Sequence, residues 1–348
     1  MLDIVQTIKR NANTLTKLLP LLSFIIPFLV LYSLYPDSFE MTWKGRTYHL
    51  FFLWLFLLEM ILDWEKLQAR KISKVKSART IAFIITLLIP TVYVIAANFL
   101  GLNSAILNLA RQNNIQSPWA EYVPLSTEYL VFAVLFALII LLAYGINGLT
   151  DLSISVFFLG IIGVIYTIDN LYPYGSFTPF QIFVPTTATL AANVLNLIGY
   201  QTLFLTPVSP GTPRLKAWNP NGKTTFDIAW PCSGVESLMI YTVTILLFLK
   251  KSNIPWRQRI IYFTIGATIT YFINILRVVT IFVISINTGG GYTLQAEQFH
   301  NYYGSLYSII WIISYPLIII GSRVLWEKIR EWKTGTKDVS KPLEIIPK

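Results

Sequence analysis

Residues 260–286 read IIYFTIGATITYFINILRVVTIFVISI, an apolar run broken by a single cation, Arg277. A helix needs about 20 apolar residues to cross a hydrocarbon core of about 30 Å, so this stretch is expected to be a transmembrane helix. The whole chain agrees: 54% of its 348 residues are hydrophobic, 15% aromatic and only 13% charged, with a mean hydropathy of +0.58. That is too apolar for a soluble domain. The net charge of +10 raises the question of nucleic acid, but the basic residues fall in short clusters between apolar runs, so no nucleic-acid partner is expected.

Working outward, further apolar runs lie near 18–35, 48–63, 80–100, 128–144, 152–172, 234–250 and 304–326, which with 260–286 makes eight expected spans. The first is too long and too Pro-interrupted for a signal peptide, and SLYPDSFE after it offers no small-residue cleavage site, so it is expected to be retained. Lys and Arg crowd EKLQARKISKVKSAR (65–79), KKSNIPWRQR (250–259) and the tail from Lys328. These clusters are expected to be cytoplasmic. The segment QIFVPTTATLAANVLNLIGY (181–200) is then not a span, because a crossing there would put the first two clusters on opposite sides. It is expected to be an interfacial or re-entrant helix on the outer face, with both termini cytoplasmic.

The fold class is therefore an all-α polytopic membrane protein with one interfacial helix and a small external hairpin. The hairpin is expected between 201 and 231, where QTLFL and TTFDIAW have strand composition and TPVSPGTPR and NPNGKTT have turn chemistry. The run TGGGY (288–292) matches no phosphate-loop spacing and is expected to be a flexible loop.

The chain has one cysteine, Cys232. A lone thiol cannot make an internal disulfide, a CxxC pair or a thiolate metal site, so it is either inert packing or a nucleophile, and no cofactor or metal is expected. Ser233 and Glu236, ahead of an apolar run, form a capping-box pattern that would put Cys232 just before a helix N-terminus, where a thiolate is favoured. Arg277 lies about ten residues from the outer end of its run, roughly 14 Å along a helix. So deep a cation either snorkels outward or faces a polar interior, with Asn274 one turn earlier on the same face. His300, in LQAEQFHNYYGSLY, is one of two histidines. In the expected topology it sits on the same side as Cys232 and Arg277. The other, His49 in TYHLFFLW, reads as an aromatic-belt residue without a role. A Cys, an Arg and a His at the outer ends of successive spans supply a nucleophile, an anion stabiliser and a proton carrier.

PCSG (231–234), NILR (274–277) and HNYYG (300–304), in this order, resemble the exosortase and archaeosortase family of membrane cysteine transpeptidases. The resemblance covers about the last 170 residues, and the basic, Ile-, Tyr- and Asn-rich character leans toward an archaeal, thaumarchaeal-type member. It implies catalytic roles for Cys232, Arg277 and His300, with Asn274, Ser233 and Gly234 in support. The implied partners are exported surface proteins ending in a short motif, a transmembrane helix and a basic tail, and a membrane lipid or glycan acceptor. The divisions expected are N-terminal transmembrane helices in 1–150, an exosortase-like catalytic domain facing outside in 151–326, and a basic tail in 327–348. The loop before Cys232 is expected to pair with an extended substrate by strand addition. A simple membrane peptidase that hydrolyses without transfer, and a transporter or polysaccharide flippase with a polar pathway around Arg277 and Asn274, are the alternatives.

Overall fold

The computed structural model of the chain describes residues 2–41, 44–64, 67, 78–172, 182–207, 212–252 and 254–334. Most of the basic connection at 65–79 and the tail after 334 lie outside these residues. The chain divides into two units, Met1–Pro173 and Tyr174–Lys348.

The first unit holds α1 (Leu2–Leu34), α2 (Thr47–Leu62), α3 (Ala78–Phe99), α4 (Leu102–Gln112), α5 (Trp119–Tyr144), α6 (Ile146–Asp151) and α7 (Ser153–Leu171). Its core is aromatic: Phe24, Phe52, Phe56, Phe132 and Phe136 are all 0% exposed, and most of their rings meet edge to face, as Phe56 and Phe136 do at a centroid distance of 4.7 Å. Side-chain bonds define the directions of α1, α2, α3, α5 and α7. Tyr35 and Asn98 pair at 2.9 Å just after α1 and near the end of α3. Arg46, just before α2, reaches Glu128 in α5, and Lys44 pairs with Asp169 near the end of α7 at 2.7 Å. At the other end Lys17 Nζ donates to the carbonyl of Trp64 at 2.8 Å, and Tyr144 OH to that of Lys17 at 2.5 Å. Helices α1, α3 and α7 therefore run antiparallel to α2 and α5.

Helix α5 begins at Trp119 rather than near 128. Glu128 breaks the apolar window in the sequence, but in the fold it accepts two bonds from Arg46, both 2.9 Å, and one from His49 at 2.8 Å. Its charge is matched, so the helix continues through it. His49 is likewise not a belt residue. It is 0% exposed and stacked on Phe28 at 4.6 Å.

The second unit contains α8 (Phe183–Leu197), strands β1 (Gln201–Leu205), β2 (Arg214–Asn219) and β3 (Gly222–Asp227), a 3-10 turn (Trp230–Ser233), α9 (Val235–Lys251), α10 (Trp256–Asn287), α11 (Leu294–Gln298), a π turn (Phe299–Tyr303) and α12 (Gly304–Thr334). The helix expected near 181–200 is α8, which buries Val184, Thr187, Ala188, Ala191 and Leu195 on one face. The expected two-stranded hairpin is a three-stranded antiparallel sheet of order β1-β2-β3. Its middle strand, RLKAWN, had been hidden by the Pro-rich turn chemistry before it. The period-2 pattern is nevertheless there: Leu215 and Ala217 are 0% exposed, while Arg214, Lys216 and Trp218 are only half-buried.

All eight expected runs are helical. Among the described residues, six are long and apolar enough to cross a membrane, and two, Thr47–Leu62 and Ser237–Lys250, are apolar but shorter. The chain is an all-α polytopic membrane protein with a small sheet.

Candidate active site

The segment DIAWPCSG leaves β3 and tightens into the 3-10 turn that carries Cys232. Pro231 pre-sets the early turn backbone, and the Cys232 N–H donates to the carbonyl of Ala229 at 3.0 Å. Ser233 does not cap the following helix as expected. Its hydroxyl turns back to the Trp230 carbonyl at 2.5 Å, and Gly234, at φ 91°, is the N-cap of α9 without a side-chain bond. The left-handed backbone that glycine allows is what reverses the chain here. The side chain of Glu236, the other half of the expected box, lies outside the described residues. The thiol still precedes a helix N-terminus and is half-buried.

The turn is held from α10 and α8. Asn274 Nδ2 donates to the Cys232 carbonyl at 2.9 Å, and Thr187 Oγ1 donates to the Ser233 carbonyl at 3.2 Å while paired with the Tyr271 hydroxyl at 2.8 Å. A Cβ on Gly234 would fall 2.9 Å from Asn274 Nδ2, so the glycine also lets Asn274 come close.

One turn along α10, Arg277 donates from Nη2 to the backbone carbonyl of His300 at 2.5 Å. His300 sits in the π turn, whose loosened register frees carbonyls that an ordinary helix would use. Gly304 packs directly on the Arg277 side chain, and a Cβ there would lie 2.8 Å from Arg277 Cγ and Nε. The His300 imidazole is held down to a pKa of about 4, first by burial and then by the Arg277 charge. It is thus neutral near pH 7 and able to accept a proton.

Two residues joined to this arrangement were not singled out in the sequence. Thr187 lay in a segment notable only for scattered polar residues. Tyr292 followed the TGGGY glycines, which form a defined turn rather than a flexible loop: Gly289, Gly290 and Gly291 all have positive φ, at 107°, 83° and 77°, and the Gly290 N–H donates to the Ser285 carbonyl at 2.8 Å. The Tyr292 ring meets that of His300 edge-on, 6.3 Å between centroids at 75°. Its phenol is held above its ordinary pKa, first by burial and then by Glu297 and Cys232, with Arg277 opposing.

Cys232, Arg277 and His300 thus belong to one assembly built on α10, with Asn274 and Gly234 at the cysteine and Gly304 at the arginine. Ser233 acts within the turn. A family model for the transmembrane exosortase matches residues 43–316, a range that includes all of these positions. No curated protein and no solved structure matches the chain.

Proposed function

Because the chain belongs to the transmembrane exosortase family, we propose that it is a membrane-embedded cysteine transpeptidase that removes the C-terminal sorting signal of exported surface proteins. Cys232 is the nucleophile, His300 the acid and base, and Arg277 the fixed positive charge. The observation that carries this reading is the grip of α10 on both reactive turns: Asn274 holds the Cys232 carbonyl and Arg277, three residues on, the His300 carbonyl. Three residues are about 4.5 Å of helix rise. The thiol turn and the imidazole turn therefore both hang from α10, which fixes one relative to the other.

In the first step the Cys232 thiol proton passes to neutral His300 as the sulfur attacks the scissile carbonyl. The C–N bond then breaks, His300 returns the proton to the departing amine, and an acyl thioester remains. The cationic guanidinium of Arg277 stabilises the thiolate or the oxyanion that develops beside it. An acceptor amine or hydroxyl, from a lipid or a surface glycan, attacks the thioester and gives up its proton through the same imidazole. The site opens to the outer side, and the signal's own transmembrane helix and basic tail place its cleavable bond there.

The test is co-production of the full chain with an exported protein that ends in a motif, an apolar helix and a basic tail. Cys232→Ala and Cys232→Ser are expected to give folded protein and accumulation of substrate with its tail still attached. Normal processing by either variant would end the reading. The mass of the mature C-terminus separates transfer to an acceptor from release as a free carboxylate.

A further inference from the structure

A base in such a pair needs a third group to orient it, yet among the described residues no side chain hydrogen-bonds the His300 imidazole. What meets the ring is Tyr292, edge-on at 6.3 Å between centroids. Tyr292 is itself backed by Phe226 of β3 at 6.1 Å and 89°, and Phe226 packs on Phe282 of α10 at 5.0 Å. The backbone that delivers Tyr292 is equally constrained. Three successive left-handed glycines turn the chain, a conformation that side chains disfavour. Gly290 also lies so close to the sheet that a Cβ would fall 2.6 Å from the Lys223 carbonyl.

We propose that Tyr292 is a positioning residue for His300: its half-exposed ring, set edge-on between Phe226 and the imidazole, sets the orientation of the proton carrier and ties it to the three-stranded sheet. The catalytic part of this inference rests on the function proposed above, but the positioning does not. The titratable or charged groups around the pair are Arg277 from α10, Cys232 from the turn before α9, and Glu297 from α11. None of them is replaced in a Tyr292 variant, so the test compares His300 with the same charged neighbours present.

The chain has two histidines, His49 and His300, so histidine-labelled protein in nanodiscs gives a titration of His300 with His49 as internal reference. Tyr292→Phe keeps the ring and is expected to leave the His300 midpoint in place and turnover within about threefold. Tyr292→Ala is expected to raise the midpoint toward the ordinary imidazole value of about 6.5 as water reaches the ring. It should also lower kcat by at least about tenfold with KM little changed, since proton transfer by a placed base contributes about 100-fold or more. An unmoved midpoint in Tyr292→Ala overturns the proposal, and so does a loss in Tyr292→Phe as large as in Tyr292→Ala, which would give the role to the hydroxyl. If Cys232→Ala still processes substrate, the proposed function fails while the titration still decides Tyr292.

Discussion

Arg277 and His300 are joined side chain to main chain: the guanidinium Nη2 donates to the His300 carbonyl at 2.5 Å, and the missing side chain of Gly304 leaves the space that the arginine occupies. The planar group is thus both a charge and a strut. Arg277→Lys keeps the charge but loses the fork that bonds the carbonyl while presenting further N–H groups to the site. Turnover is expected to fall at least about tenfold with the chain still folded. Wild-type turnover would show that charge alone suffices.

The pH dependence follows from the His300 imidazole, held down to about 4 by burial and then by Arg277. Its neutral, proton-accepting form is populated well below pH 6, so the acid limb of kcat/KM is expected near pH 4 to 5 rather than near about 6.5. Arg277→Gln removes the second cause and should move the remaining limb upward. The same shift links to stability: between about 4 and 6.5 the unfolded chain binds more protons at this residue than the folded one, so stability rises with pH across that window. An acid limb unchanged by Arg277→Gln would mean that another group sets it.

Two glycines test the packing of the site. Gly304→Ala places a methyl 2.8 Å from Arg277 Cγ and Nε, so the arginine that bonds the His300 carbonyl must shift. Gly234→Ala is strained by its φ of 91°, at about 1–2 kcal/mol, and also crowds Asn274. Both are expected to lose activity, but only Gly234→Ala should also lower the thermal unfolding temperature measurably. Full activity in Gly304→Ala would contradict the placement of Arg277.

Sheet edge β1, with Leu203 and Phe204 exposed at 51% and 47%, pairs only with β2 among the described residues. The opposite edge strand, β3, packs on the end of α10 through Gly222 and Phe226. If an extended substrate adds a strand, it adds at β1. Leu203→Lys with Phe204→Lys, which blunts an edge, is expected to raise KM for the sorting signal and leave kcat nearly unchanged. An unchanged KM would remove β1 from substrate binding.

In the first unit, Arg46, His49 and Glu128 form a buried cluster bonded at 2.8 Å to 2.9 Å. Glu128→Ala strands a buried guanidinium and should cost about 3–5 kcal/mol, seen as a large drop in unfolding temperature or in yield. A variant as stable as the parent would show that water reaches the cluster.

Apolar run length showed the helices, because it depends on local composition. The three separated polar residues Cys232, Arg277 and His300 stood out for the same reason, against an apolar background. Partnership was not legible. Glu128 looked like the edge of a span until Arg46, far away in sequence, neutralised it, and His49 looked interfacial until the same carboxylate gave it a buried partner. Strand β2 was masked by the prolines before it. The Ser233 and Glu236 spacing fitted a cap, yet Gly234 took the position, because a left-handed residue reverses the chain where a hydroxyl cannot. Tyr292 was invisible because glycines advertise freedom, and only the sheet carbonyl beside Gly290 shows that the freedom is spent on one conformation.

The helix that follows Cys232 is short. Its 17 residues span about 25 Å, against a hydrocarbon core of about 30 Å. Where α9 crosses, lipid must thin or the helix ends must sink, at fractions of a kcal/mol per Å. Acyl-chain length is then a handle on the depth of the thiol, and the thickness of the surrounding membrane helps to set where the Cys232 turn sits.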